Sequence, residues 1–316
     1  MTFREAAEFL KDHDRYLILT HKRPDGDTIG SAVGMCGLLR ELGKTAWMLP
    51  PLDASGLFTG YMEGFLAQED YEPLCVVSVD TATRELLPAN AAPYGDRVDL
   101  SIDHHPSNSL YARQTCLEGN RASCGEIVWE ICDYLGVMTP DIASMLYMAV
   151  STDCGCFVYA NTGAHTHRVA AALMDAGANW RRLNKKHFRS RSMGRMKLNS
   201  LMVQEMKLYR GGSFALVAIT LDMMARCGAV EEDMEDIAAY LGQIEGITDS
   251  ATIRELRPGE CKISLRTSGI IDASAACARL GGGGHKMASG CTFLGTPAEA
   301  EKAIMAAVEA QLAEKC

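Results

Sequence analysis

The sequence predicts an α/β fold in two domains: an N-terminal domain on a parallel sheet and a smaller C-terminal domain of mixed α/β structure. Three observations carry this. The chain has 316 residues, and domains run to roughly 150 residues each. In the first half, short apolar runs alternate with helix-periodic stretches, and the runs end on Asp or His. That is the pattern of strand, crossover helix and parallel strand, with ligand groups at the carboxyl edge of the sheet. After Gly211-Gly212 the pattern changes to strands paired through a tight turn. The expected boundaries are 1–190 for the first domain, 191–212 for a helical connector and 213–316 for the second domain.

The opening segment, MTFREAAEFLKDHDR, is charged and helix-periodic and lacks the apolar stretch of a signal peptide. Residues 16–20 read as a buried strand that runs into the polar stretch from His21 to Asp27. Ala32, Met35, Leu39 and Leu42 then predict an amphipathic helix closed by Gly43. Residues 74–79 form a second buried strand ending on Asp80, and residues 98–102 a third, ending on Asp103-His104-His105. Residues 141–150 are helical and lead into Ser151-Thr152-Asp153.

Residues 163–209 read as helices. Within them Met193, Met196, Val203 and Met206 make one apolar stripe and Leu198, Leu201 and Leu208 another, as a connector packed on two sides requires. Gly211-Gly212 breaks the run. Residues 214–220 read as a strand and 231–241 as a helix. Residues 248–256 and 261–265 make a hairpin across Pro258-Gly259. Residues 272–280 are helical and precede the run Gly281 to His285. The last helix opens with Thr296-Pro297-Ala298-Glu299, a capping box with Pro in its first turn, and buries Ile304, Val308 and Leu312.

Composition narrows the function classes. Apolar residues make up 47% and charged residues 22%, ordinary for a soluble globular protein. A chain this long builds its core without metal or disulfide staples, so metal ligands here would serve chemistry. The net charge of −9 argues against a broad hold on duplex DNA. It leaves room for a small phosphorylated ligand in a local basic cleft. Eight Lys or Arg fall between Arg181 and Lys197, either lining such a cleft or forming a solvated helix face. No apolar run is long enough to span a membrane. The 12 cysteines include no Cys-x-x-Cys pair and read as reduced, buried thiols of a cytoplasmic protein rather than as a zinc site.

The residues that could carry chemistry cluster at strand ends. His21-Lys-Arg-Pro-Asp25-Gly-Asp27 offers one imidazole and two carboxylates, donors that suit Mn²⁺, Mg²⁺, Fe or Zn²⁺. Alone, the segment would serve equally as a turn whose Asp residues cap the next helix. Asp80 alone would pass for a capping or hydrogen-bonded Asp, and Asp153 alone is weak. Asp103-His104-His105 is rarer, with a solvated loop as its alternative. Together, four segments supply the ligands of a two-metal site, with ions about 3.5–4 Å apart that clamp attacking and leaving oxygens. The run Gly281-Gly282-Gly283-Gly284 is entropically costly, and is useful where backbone N–H groups approach a phosphate at a nest or helix N-terminus. His285 adds a donor. Arg266, at the end of the hairpin, could present a bidentate fork to a phosphate or stand as an exposed strand residue.

The order His21-x-x-Pro-Asp25-x-Asp27-x-x-Gly30-Ser31, then Asp80, Asp103-His104-His105 and Asp153, resembles the DHH phosphoesterase family. The closing Gly-Gly-Gly-Gly-His285-x-x-Ala288-x-Gly290 resembles the C-terminal domain associated with it. The resemblance covers essentially the whole chain. It implies a phosphodiesterase or phosphomonoesterase with two Mn²⁺ ions, or Mg²⁺ or another divalent metal, in a cleft between two domains. A bridging hydroxide would attack phosphorus. His21 and Asp25 would hold one ion, Asp27, His104 and Asp153 the other, and Asp80 both. Asp80, His104, His105 and Asp103 would form the catalytic set, with His105 against the scissile phosphate and Asp103 supporting the histidines. Arg266, Ser268, Gly282, Gly283, Gly284 and His285 would hold substrate.

Length and the lack of a membrane span make the chain similar to the family's short standalone nano-RNases. Those degrade RNA of a few nucleotides from an end, and many also remove the 3′-phosphate of adenosine 3′,5′-bisphosphate. The implied partners are therefore short RNA oligonucleotides and nucleotide bisphosphates, and a homodimer is compatible with the resemblance. The alternatives are hydrolysis of cyclic dinucleotides or their linear two-nucleotide products, hydrolysis of polyphosphate or pyrophosphate, and non-enzymatic nucleotide binding.

Overall fold

A computed structural model describes residues 1–234 and 236–313. The chain divides into two compact units, Met1–Ser190 and the part beginning at Arg191.

The first unit runs α1 (Phe3–Asp12), β1 (Tyr16–Leu19), α2 (Gly26–Glu41), β2 (Ala46–Met48), α3 (Gly56–Thr59), β3 (Cys75–Val79), β4 (Leu100–Asp103), β5 (Gln114–Leu117), α4 (Cys124–Leu135), α5 (Pro140–Asp153), α6 (Ala164–Asp175) and α7 (Trp180–Asn184). Its five strands are all parallel, in the order β2-β1-β3-β4-β5. The three central strands are buried along their whole length, which is why they stand out as continuous apolar runs. The edge strands β2 and β5 have three and four residues of mixed burial, so neither carries a readable period. The chain leaves β1 outward to β2 and returns on the other side of β1 to β3, which makes the carboxyl ends of β1 and β3 a switch point where ligands bind in open α/β sheets.

The helix after β1 departs from the expected amphipathic pattern. Thirteen of the 16 residues of α2 are buried, because α2 lies between the sheet and α5. Two glycines permit the close crossing. A Cβ on Gly30 would sit 2.5 Å from the Met145 carbonyl oxygen, and one on Gly34 2.7 Å from Leu146 Cδ2.

The second unit contains α8 (Met193–Glu205), β6 (Lys207–Tyr209), β7 (Phe214–Ile219), α9 (Leu221–Cys227), β8 (Asp249–Arg257), β9 (Glu260–Arg266), α10 (Ala273–Ala278), β10 (Gly283–His285), β11 (Ala288–Leu294) and α11 (Pro297–Ala313). Its mixed sheet has the order β10-β11-β9-β8-β7-β6, with β7 and β8 parallel and the other neighbours antiparallel. Ile304 and Val308 of α11 pack into its core.

Three expectations need correction here. Residues 191–212, read as a helical connector, fall in the second unit, and 207–209 form an edge strand. Gly211 and Gly212, both at positive φ (69° and 97°), turn that strand back onto β7. Helix α8 buries one side, through Leu198 and Met202, while Met193, Met196 and Val203 are exposed. The helix expected over 231–241 is instead two short 3₁₀ segments, Glu231–Met234 and Ile237–Gln243, separated where Asp236 takes a left-handed conformation; Glu235 lies outside the described residues. No helix among the described residues is long and apolar enough to cross a membrane.

Candidate metal centre

The site is built at the carboxyl ends of β1, β3 and β4, the first turn of α2 and the last turn of α5. Asp25 is the N-cap of α2, its Oδ1 accepting from the backbone N–H of Asp27 and of Thr28, each at 3.1 Å. Its Oδ2 lies 3.9 Å from His21 Nε2. The capping role and the ligand position therefore coexist in one residue. His21 Nδ1 bonds the Lys22 carbonyl at 2.8 Å. A carbonyl only accepts, so Nδ1 carries the hydrogen and Nε2 is left to face the site.

Asp80 follows β3 with φ +53°, in the left-handed region. Its Oδ2 accepts from Thr28 Oγ1 at 2.6 Å and lies 3.7 Å from His21 Nε2. Its buried Oδ1 has no hydrogen-bond partner among the described residues, with His104 Nε2 at 3.4 Å and His105 Nδ1 at 3.6 Å. Asp27, on the first turn of α2, is fully enclosed. Its Oδ1 accepts from Ser31 Oγ and the Gly125 N–H, both at 3.0 Å, and its Oδ2 from the Cys124 N–H at 2.7 Å.

His104 is oriented as His21 is. Its Nδ1 bonds the Arg121 carbonyl at 3.2 Å, and its Nε2 lies 3.8 Å from Asp27 and 3.7 Å from Asp153. Asp103 faces away from this convergence. It accepts from the His104 and His105 N–H groups, from His105 Nδ1 at 2.8 Å and from Asn108 Nδ2 at 2.6 Å. Asp103 thus orients His105 rather than offering an open oxygen.

Three overlapping sets result: His21, Asp25 and Asp80; Asp80, His104 and His105; Asp27, His104 and Asp153. In each the donor atoms lie within 4.8 Å of one another. Asp80 and His104 each belong to two sets.

The electrostatics fit a cation. Burial, then the Asp80 and Asp153 carboxylates, hold the Asp27 carboxyl well above its usual range. Burial, with the Asp80 and Asp25 charges, pushes Asp153 up to about 6 although His104 opposes it. Burial pulls His104 down, but Asp80, Asp27 and Asp153 outweigh it and raise it to about 10. For Asp103 burial pushes up, and the His105 and Asn108 hydrogen bonds pull it below the ordinary value. A proton on His104 is a partial substitute for the positive charge that four facing carboxylates call for. Divalent ions on these oxygens and imidazole nitrogens would satisfy them, including the orphaned Asp80 Oδ1.

Of the substrate residues expected in the second unit, Arg266, Gly283, Gly284 and His285 lie on its sheet, and Ser268 and Gly282 lie just outside its strands. Ser268 donates through its N–H to Asp249 Oδ1 at 2.9 Å. Arg266 lines a cavity of about 210 Å³ with Thr252, Arg254, Lys262 and Ser264. The glycine run does not open a helix. Gly283–His285 is strand β10, and Gly282 lies so close to β11 that a Cβ there would sit 2.3 Å from the Gly290 carbonyl oxygen. His285, Ala288 and Arg266 occupy one row across β10, β11 and β9. The basic stretch is divided between the two units, and Arg195 within it is buried, donating to Asn199 Oδ1 at 2.9 Å.

The sequence assigned no hydrogen-bonding role at the site to Thr28, Ser31, Asn108 or the main chain of residues 121–125. One signal was available. Ser123-Cys-Gly-Glu126 has the spacing of a capping box; Ser123 caps α4 in the structure, and the N-terminus of α4 receives the Asp27 carboxylate.

A parallel sheet with an Asp- and His-lined switch point, followed by a mixed-sheet unit, defines the class. Residues 15–150 match the model of the DHH family, N-terminal domain, and residues 218–314 that of the DHHA1 domain. The chain belongs to the DHH family and is a hydrolase acting on phosphoester bonds. It is 31% identical over 304 residues to the bifunctional oligoribonuclease and PAP phosphatase NrnA of Thermus thermophilus, covering 92% of this chain and 88% of that one. It is 25% identical over 287 residues to the protein of the same name from Bacillus subtilis, covering 89% and 90%. Among solved structures, an exopolyphosphatase-related protein from Bacteroides fragilis has the same fold, with a TM-score of 0.86, 23% identity and coverage of 97% and 95%.

Proposed function

We propose that the chain hydrolyses short RNA oligonucleotides from an end and removes the 3′-phosphate of adenosine 3′,5′-bisphosphate, with two divalent ions, Mn²⁺ in the first place. The observation that carries the two-ion reading is Asp80, which belongs to two donor sets and keeps one buried oxygen without a hydrogen-bond partner among the described residues. The substrate classes are supported by the relatives from Thermus thermophilus and Bacillus subtilis, both bifunctional oligoribonucleases and PAP phosphatases aligned over most of this chain.

His21 and Asp25 are assigned to one ion, Asp27, His104 and Asp153 to the other, and Asp80 to both. Bound there, such ions supply Lewis acidity toward phosphoryl oxygens and lower the pKa of water toward about 7. The protein's own groups do the rest. Asp103 bonds His105 and raises its pKa, which favours the imidazolium form that can donate to a phosphoryl oxygen. Arg266, Ser268, Gly282, Gly283, Gly284 and His285 are assigned to the terminal phosphate or nucleotide. All eleven described cysteines are free thiols, which suits the reducing cytoplasm.

The test is hydrolysis of end-labelled RNA of about two to five nucleotides beside adenosine 3′,5′-bisphosphate, with Mn²⁺ or with EDTA. Cleavage of both substrates, abolished by EDTA, is expected. Turnover of cyclic di-AMP or pApA with both test substrates intact, while calorimetry shows Mn²⁺ bound, would replace this reading with a dinucleotide phosphodiesterase.

A further inference from the structure

We propose that the partly buried Arg121–Glu130 pair is a positioning device that fixes the main chain of residues 121–125, and through it the orientation of three residues of the candidate metal centre. The inference rests on the assignment of Asp27, His104 and Asp153 to a divalent ion.

One short segment reaches all three. The Arg121 carbonyl accepts from His104 Nδ1 at 3.2 Å. The Cys124 and Gly125 N–H groups hold the two oxygens of Asp27. Asn161 Nδ2 donates both to the Ala122 carbonyl, at 3.1 Å, and to the Asp153 carbonyl, at 3.2 Å. Every atom the segment contributes belongs to the backbone, so its value lies in where it is held.

Two carboxylates of α4 hold it there. Arg121 Nη2 donates to Glu130 Oε1 at 2.6 Å, and the Ala122 N–H donates to Glu126 Oε2 at 3.3 Å. His165 Nε2 lies 3.3 Å from the same Glu130 oxygen and 3.8 Å from Glu126 Oε2. Glu126 and Glu130 are both buried, four residues apart on one helix, where like charges repel. Burial also drives Glu130 above its ordinary pKa. Glu126 Oε1, Glu130 Oε2 and Arg121 Nε have no hydrogen-bond partner among the described residues. An apolar cluster would fold as well or better. What the charged cluster adds is a fixed place for Arg121, and hence a fixed direction for the His104 ring. Partners of this kind around a metal ligand change affinity by about 10- to 100-fold when removed.

The experiment measures Mn²⁺ affinity by titration calorimetry for the wild type, Glu130→Gln, and the double variant Arg121→Met with Glu130→Leu. The double variant removes the pair without leaving a buried charge, so it keeps the test valid if Glu130→Gln fails to fold. Thermal unfolding of each metal-free protein is followed in parallel. Both folded variants should bind Mn²⁺ about 10- to 100-fold more weakly and regain turnover of short RNA as Mn²⁺ is raised, which a merely destabilised fold would not do. Affinity in the double variant within about twofold of wild type overturns the positioning role. A wild type that binds no Mn²⁺ overturns the metal assignment itself, and this inference with it.

Discussion

The Thr28 hydroxyl donates a 2.6 Å hydrogen bond to Asp80 Oδ2 and leaves Oδ1 of the same carboxylate buried, without a hydrogen-bond partner among the described residues. Two residues 52 positions apart thus fix one oxygen and aim the other at His104 and His105. Replacing Asp80 by Ala should lower kcat/KM by at least about 100-fold, about 2.7 kcal/mol of transition-state stabilisation. Asp80→Asn separates charge from backbone shape, because Asn also tolerates the left-handed conformation. It should keep the fold and lose Mn²⁺ binding. Normal turnover in Asp80→Ala would refute the assignment of Asp80 to both ions.

Metal binding should release protons. Without metal, His104 titrates at about 10 against an ordinary 6.5, so its native-state advantage is complete below about 6.5 and disappears as pH rises to 10. Asp153 titrates at about 6 against 3.8, so it disfavours the native state progressively as pH rises from about 4 to 6. Both groups make the metal-free protein less stable as pH increases. A metal needs both deprotonated, so affinity should rise with pH. Near pH 7 the His104 proton should leave as the ion of the Asp27, His104 and Asp153 set binds. Calorimetry in buffers of different ionisation enthalpy reads this directly; a buffer-independent enthalpy contradicts it.

The α2–α5 crossing predicts an order of stabilities. At Gly30 an added methyl meets backbone, the Met145 carbonyl oxygen at 2.5 Å and the Ala149 nitrogen at 2.9 Å. At Gly34 it meets the end of a Leu146 side chain, which can turn away. Gly30→Ala should destabilise the first unit by about 1–3 kcal/mol, the range for overpacking, and Gly34→Ala by less. Urea titration followed by circular dichroism gives both midpoints, and equal or reversed losses would show that the two helices separate freely.

On the second unit's sheet, His285 and Arg266 share a cross-strand row. If they hold the substrate equally in ground and transition states, His285→Ala and Arg266→Ala should each raise KM by about 10-fold with little change in kcat. An unchanged KM in steady-state assays removes them from substrate binding.

The chemistry at the strand ends was legible in the sequence for a physical reason. Strands buried on both faces leave unbroken apolar runs, and the Asp or His that follows each run must lie at the edge of the sheet. That placed His21, Asp25, Asp27, Asp80, His104 and His105 near one another before any coordinates, and the apolar helix ahead of Asp153 did the same for it. The short edge strands β2 and β5 carry no period. The amphipathic pattern expected of α2 failed because α5 covers the side that a two-layer reading leaves to solvent.

The sequence by itself determined the layered α/β class, the presence of two differently patterned parts and the residue types of the candidate metal centre, since each follows from local period and composition; the division itself falls at Ser190/Arg191. Only the tertiary structure decided what holds each carboxylate oxygen. Asp27 is held by backbone N–H groups 97 and 98 positions away, and His104 by a carbonyl 17 positions away. Every non-proline residue carries these backbone groups; the Ser123–Glu126 spacing marks the start of α4, but only the packing of α4 beside the sheet brings its N–H groups to the site.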